Sequence, residues 1–288
     1  MSNGSIIMVG WPDSGKSNYV GALWDSLRIG GGKIFAPVLP DEITYVEEIL
    51  AYQSRGEFAP RSDKNMEESR KDFSVSVELK GGNEGVSKNI VVPDITGELW
   101  KSAVETLEIS SEWMDELKSA VGAILFVRVR SKLNVTPLDW ATTGRLLEHA
   151  NLSKEDEEMV ICLPTQIALC ELLRFLEFSL SDLEVGARPR VAIVISAWDL
   201  LDKETAKKGP MAFLRGEYPL FAGRLEDVNR LEVSVFGMSS VGGDFSDPDF
   251  KERYLSGDTS RFVVFDGETN PCIEQDITIP IAWVIGGE

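Results

Sequence analysis

Apolar residues along the chain follow two rhythms in turn. Short runs rich in isoleucine and valine predict strands at about 5–10, 72–80, 88–94, 121–128, 190–196 and 231–237. Between them, apolar residues spaced three and four apart predict helices near 15–28, 41–54, 99–119, 165–181 and 204–227. Strand and helix alternating in this way predict an α/β fold, with a mainly parallel central sheet and helices on both faces. The run SVSVEL (74–79) alternates polar and apolar residues and reads as an edge strand. GAILFV (122–127) and VAIVIS (191–196), the latter apolar up to its closing serine, are continuous runs, as in strands covered on both faces.

Two stretches break the rhythm. Residues 55–71 are polar and charged, between a predicted helix and a predicted strand. Residues 130–164 form a long polar connection that includes KEDEE and reads as a surface loop with a short helix. The closing ITIPIAWVIGG is apolar enough to dock back on the fold. No repeat, linker or low-complexity tract divides the chain, so residues 1–288 read as one domain with insertions at 55–71 and 130–164.

Charge and cysteine content narrow the possible partners. The formal net charge of −18 repels DNA and RNA at long range, so no nucleic-acid partner is expected. A small anion remains possible, because backbone N–H groups hold one regardless of net charge. No apolar run reaches the roughly 18 residues that span a bilayer, and no basic stretch leads into an apolar core at the N-terminus. Neither a membrane partner nor a signal peptide is expected. Cys162, Cys170 and Cys272 are scattered and odd in number, which suits free thiols in a reducing cytoplasm. With His149 the one histidine and no CxxC, no zinc site is expected.

The strongest chemical signal is GWPDSGKS at 10–17, placed between a predicted strand and a predicted helix. It fits G-x-x-x-x-G-K-[ST] at every fixed position, and the strand–loop–helix setting argues against an ordinary glycine turn. Gly10 and Gly15 let the backbone wrap with its N–H groups pointing inward, into a nest for phosphate oxygens. Lys16 brings positive charge to the β- and γ-phosphates, Ser17 offers a hydroxyl to Mg2+, and the following helix adds its positive dipole end. Such a cradle serves ATPases, kinases and GTPases alike.

Three further stretches bear on the nucleotide. In NIVVPDITGE (89–98), Asp94 ends an apolar strand and opens D-x-x-G. Asp94 would reach Mg2+ through water, and the Gly97 N–H would meet a γ-phosphate oxygen, so that loop would sense the phosphate. In VAIVISAWDLLD (191–202), Asp199 lies just past a buried strand. A carboxylate there accepts from guanine N1–H and its 2-amino group, which adenine cannot supply; a plain helix cap is the alternative. In VSVFGMSSVGG (233–243), Ser239 and Ser240 can let a backbone N–H reach guanine O6, or form only a serine-glycine turn.

The order and spacing of these motifs resemble the TRAFAC-class P-loop GTPases, which include Ras-like and translation-factor G domains, over nearly the whole chain. GWPDSGKS, the LPTQ at 163–166, SAWDLLD and PIAWVI further resemble bacterial GTPase domains of conflict or phage-defence systems, the double-GTPase type. The resemblance implies a three-layer Ras-like G domain, with 55–71 as a switch-like insertion. It implies that Asp13, Ser14, Gly15, Lys16 and Ser17 contact phosphates and metal, that Ser17 and Asp94 serve Mg2+, that Gly97 senses the γ-phosphate, and that Asp199, with Ser196, Ser239 and Ser240, reads guanine. The implied function is a Mg2+-dependent GTP-hydrolysing switch, in which Lys16, Gly97 and Glu98 act on the phosphate and a protein effector or second GTPase subunit reads the state.

The chain departs from the class at three points. The base-reading pattern [NT]-K-x-D is Ser196-Ala197-Trp198-Asp199 here, so the stem that covers the guanine face must come from Trp198 or another side chain, or guanine binds more weakly. Glu98 stands where many members have a water-orienting glutamine, which predicts slow hydrolysis without a partner. No threonine lies between Thr44 and Thr96 to cap Mg2+. Thr44 reads as helical, Ser62 is a substitute, and Arg61, Arg128 and Arg130 read as surface or structural. Two other functions stay open: a nucleotide-binding assembly adaptor with little hydrolysis, and a P-loop ATPase.

Overall fold

Ile6 and Met8 of the first strand, β1 (Ser5–Gly10), face one hydrophobic core, and Ile7 and Val9 face a second on the other side. The same alternation recurs in the two strands predicted to be central, because a strand covered on both faces needs an apolar side chain at every position. The computed structural model describes residues 5–38, 40, 43–59, 73–81, 87–92, 97–137, 163–181 and 187–286.

Eight further strands complete the sheet: β2 (Ile34–Phe35), β3 (Phe73–Leu79), β4 (Ser87–Val92), β5 (Ala120–Arg128), β6 (Arg190–Ser196), β7 (Glu232–Ser239), β8 (Phe262–Phe265) and β9 (Cys272–Glu274). Their order is β2-β3-β4-β1-β5-β6-β7-β8-β9. The inner five, β4-β1-β5-β6-β7, run parallel, and each flank is antiparallel. The helices are α1 (Lys16–Ile29), α2 (Thr44–Gln53), α3 (Gly97–Thr106), α4 (Ser111–Ser119), α5 (Thr165–Ser179), α6 (Lys203–Ala206), α7 (Pro210–Glu217), α8 (Pro219–Asp227), α9 (Pro248–Leu255) and α10 (Ile279–Val284). Helices α1, α2 and α10 cover one face and α3, α4, α5, α7 and α8 the other, giving a three-layer α/β fold.

Three expectations are corrected. Strand β3 is not at the edge, since β2 pairs with its outer side. Its alternation arises because one face alone enters a core, through Val75 and Val77, while Ser74 is exposed. The helix predicted over 99–119 is two helices: Leu107 takes φ 59° and Ser110 caps α4 by accepting from the Trp113 N–H at 3.4 Å. The helix predicted over 204–227 is three, because Pro210 and Pro219 each occupy a first turn and cannot continue the helix before them. Strands β2, β8 and β9 were not foreseen.

The closing segment docks as expected, with Ile277, Ile279, Ile281 and Val284 buried in the α1-side core. Tyr19 of α1 donates to the Ile277 carbonyl at 3.1 Å, and its complete burial holds the phenol far above the usual tyrosine range. Arg190 fastens the other end, donating to the Trp283 carbonyl at 2.8 Å. No helix among the described residues is long and apolar enough to cross a membrane.

Candidate functional site

The carboxyl ends of the parallel strands place the motif residues on one side of the sheet, where α/β folds build their crevices. Gly10 ends β1, Arg128 ends β5, Ser196 ends β6 and Ser239 ends β7. A cleft opens there between Gly15, Asn18, Arg128, Ser196, Ala197, Asp199, Ser240 and Asp244. Phe58 and Leu200 add apolar walls.

The loop at 10–17 is a turn leading into α1. The Ser14 N–H donates to the Trp11 carbonyl at 3.2 Å. Gly15 has φ 88°, and Asp13 takes the same left-handed region with φ 64°, which aspartate tolerates better than most side chains. The Lys16 ammonium folds back over the loop. It donates to the Gly10 carbonyl at 2.6 Å, the Trp11 carbonyl at 3.1 Å and the Ser14 hydroxyl at 3.1 Å. Three oxygens of its own loop thus hold the Lys16 ammonium. Ser17 is exposed in the first turn of α1, and its Oγ accepts from the Tyr45 hydroxyl at 3.4 Å.

The β6 end meets this loop directly. Ser196 donates through Oγ to the Ser14 carbonyl at 2.7 Å. Ala197 adopts φ 57°, which turns the chain sharply toward the cleft. Asp199 lies in the short 3-10 turn Trp198–Leu200, on the cleft wall. Behind it, Ser239 donates to the Asp199 carboxylate and accepts from the Gly242 N–H at 3.0 Å. Ser239 is the last residue of β7 and fully buried, so it supports Asp199 from behind, while Ser240 faces the cleft.

Two departures from expectation concern side chains. Trp198 does not face the cleft. It is 3% exposed, packed edge-on to Phe213 with ring centroids 5.6 Å apart, so it cannot cover a base in place of the absent lysine. Arg128 has a more specific place than an ordinary structural arginine. Its guanidinium pairs with the Asp13 carboxylate at 3.0 Å and borders the cleft. Phe58, whose ring packs 4.7 Å from Phe245, also reaches the cleft. No periodicity or motif singles out Phe58, because it stands alone in a polar segment.

Asp94, Arg61 and Ser62 lie outside the described residues. Gly97 opens α3 and Glu98 follows it in the first turn, with its side chain outside the described set. Thr44 is the first residue of α2. Arg130 takes φ 52° in the turn after β5.

The family model described as DO-GTPase1, Double-GTPase 1, matches residues 7–284. Among curated proteins, none matches the chain. Among solved structures, the signal recognition particle receptor SRb-GTP/SRX complex from Chaetomium thermophilum is similar at a TM-score of 0.37 and 12% identity, covering 90% of this chain and 98% of that one. A bacterial selenocysteine-specific elongation factor, EF-Sec, is similar at a TM-score of 0.32 and 15% identity, covering 89% of this chain and 29% of that one. These are distant likenesses, whereas the family match runs from the first strand through the last helix. The chain belongs to the Double-GTPase 1 family.

Proposed function

We propose that the chain is a GTP-binding and GTP-hydrolysing molecular switch, built as one GTPase domain over residues 1–288. The observation that supports this best is that Gly15, Ser196, Asp199 and Ser240, singled out from three separate motifs, border one cleft. In this reading the loop N–H groups and Lys16 hold the phosphates and neutralise charge developing between them. Asp199 accepts from guanine N1–H and the 2-amino group, with its carboxylate oriented by the Ser239 hydroxyl. Ser17 and Asp94 would serve Mg2+: the exposed Ser17 hydroxyl is the hard oxygen donor that ion prefers. When bound, Mg2+ supplies positive charge to the phosphate oxygens. In this reading Gly97 senses the γ-phosphate, and Glu98 in place of glutamine keeps unassisted hydrolysis slow. A protein effector or second GTPase subunit reads the state, in the cytoplasm and as part of a bacterial conflict system.

Titration of the purified protein with GTP, ATP and XTP, with and without Mg2+, tests the reading. GTP should bind most tightly, and Asp199→Asn should shift preference to XTP, because an amide donor suits the xanthine 2-oxygen. Equal binding of GTP and ATP, unaffected by Asp199→Asn, would overturn it in favour of an ATPase. A second reading, an assembly adaptor with little hydrolysis, is favoured by Thr44 opening α2 and by the Tyr45 hydroxyl donating to Ser17 Oγ at 3.4 Å. Single-turnover loss of the γ-phosphate that disappears in Lys16→Ala supports the switch, and GTP that stays intact supports the adaptor.

A further inference from the structure

A phosphate loop that carries a carboxylate has an electrostatic problem. Asp13 lies two residues before Gly15, in the stretch whose N–H groups are to receive an anion. Its negative charge opposes any phosphate that enters, unless something holds it aside.

The structure holds both of its oxygens. Arg128 Nη1 donates to Asp13 Oδ1 at 3.0 Å and to the Asp13 carbonyl at 3.2 Å. Ser131 Oγ donates to Asp13 Oδ2 at 3.0 Å. The pair is largely shielded from water, with 26% of the Arg128 side chain and 29% of the Asp13 side chain exposed. The clasp is itself braced. Arg128 is in register with Ser196 on the neighbouring strand, and its carbonyl accepts from Asn134 Nδ2 and the Tyr218 hydroxyl, each at 3.4 Å. Ser131 Oγ in turn accepts from the Leu133 N–H at 3.2 Å. Asp13 keeps its left-handed backbone within this grip.

We propose that Arg128 and Ser131 form a clasp that neutralises Asp13 and turns its carboxylate away from the phosphate seat, which makes Arg128 a positioning residue for nucleotide binding. This rests on the reading of the cleft as a guanine-nucleotide site. Arg128 acts through Asp13 and need not touch the nucleotide.

The test uses the full chain, titrated with GTP by calorimetry at low and high salt. Arg128→Ala should weaken GTP binding at low salt by on the order of tenfold or more, the effect of one uncompensated charge near a polyanion. High salt should narrow that gap, since screening reduces charge repulsion and leaves a shape defect untouched. Adding Asp13→Asn to Arg128→Ala should restore affinity to within about threefold of the parent, because asparagine keeps the left-handed backbone and removes the charge. Should Arg128→Ala fold poorly, Ser131→Ala removes half of the clasp. It should give a smaller loss that Asp13→Asn also reverses.

A double variant as weak as Arg128→Ala, or a loss that salt does not change, overturns the proposal, since Arg128 would then bind phosphate itself or only support the fold. Parent protein that binds no GTP at all overturns the guanine-nucleotide reading and the clasp's role with it. Parent binding without rescue overturns the clasp alone.

Discussion

Replacing Gly15 by alanine tests how tightly the loop at 10–17 is tied to the end of β6. Gly15 has φ +88°, and in that region an L-residue costs about 1–2 kcal/mol. An added Cβ would also lie 2.9 Å from Ser196 Oγ and 3.1 Å from Ser196 Cβ, so Ser196 has to move. Ser196 is 6% exposed and has one torsion to rotate, so its hydroxyl must leave the Ser14 carbonyl. Stranding that carbonyl costs about another 1–2 kcal/mol. The sum, about 2–4 kcal/mol, corresponds to a fall in Tm of about 4–8 °C for a chain of this size. Thermal melts and GTP titrations read the two consequences, and the distorted loop should lose about tenfold or more in affinity. The cycle with Ser196→Ala isolates the contact. Alone, Ser196→Ala gives up a hydrogen bond worth about 1 kcal/mol. In the Gly15→Ala protein that bond is already broken, so the second change should cost nothing or recover part of the Tm. Additive shifts, or a Gly15→Ala protein that melts and binds like its parent, would refute the reasoning.

Two other perturbations probe what lies behind the cleft. At Gly237 an added Cβ would lie 2.4 Å from the Trp198 ring, so Gly237→Ala should overpack by about 1–3 kcal/mol and displace the neighbouring Asp199. Lower Tm together with a reduced GTP-over-ATP ratio is expected, and a protein with unchanged melting and unchanged selectivity would count against that packing. Burial, reinforced by Glu217 and opposed by the Asn134 amide, pushes the Tyr218 phenol from 10.0 up to about 12. The folded state then holds this proton where the unfolded chain has released it, so the contribution is full below pH 10.0 and is lost as pH rises through about 12. Tyr218→Phe should flatten the decline in urea-melt stability across that window; an equally steep decline in both proteins would show that Tyr218 does not drive it.

Legibility from sequence tracked how local each feature is. Strands β1, β5 and β6 announce themselves because burial on both faces leaves polar residues only at the ends of the run. The two-residue β2 and three-residue β9 carry too few positions for any period, and the four-residue β8 is little longer. Pro210 and Pro219 were readable helix starts hidden within a longer apolar pattern, while the break at Leu107 has no residue to mark it. The loop at 10–17 was legible because its chemistry is made by consecutive residues. The partner of Asp13 was not, since Arg128 stands 115 residues away and only the adjacency of β1 and β5 brings them together. The direction of Trp198 was equally hidden, because Ala197 in its left-handed turn decides which neighbour faces the core and which the cleft.

Ser196 gives the site its internal logic. It stands at the first position of the segment Ser196-Ala197-Trp198-Asp199, yet its hydroxyl is spent on the Ser14 carbonyl, and its own carbonyl accepts from the Val129 N–H at 3.1 Å. One residue thus joins the β6 end to the phosphate loop and to the turn that carries Arg128 and Ser131. Asp199, three residues on, is tied to β7 through Ser239. Four parallel strand ends are linked by side chains as well as by the sheet, so the 10–17 loop and the Asp199 turn cannot shift independently without breaking hydrogen bonds. An isolated turn of glycines would need the ligand to order it. Here the Arg128 and Ser196 side chains hold the loop at the Asp13 and Ser14 carbonyls, so part of its ordering comes from the fold and not from a ligand.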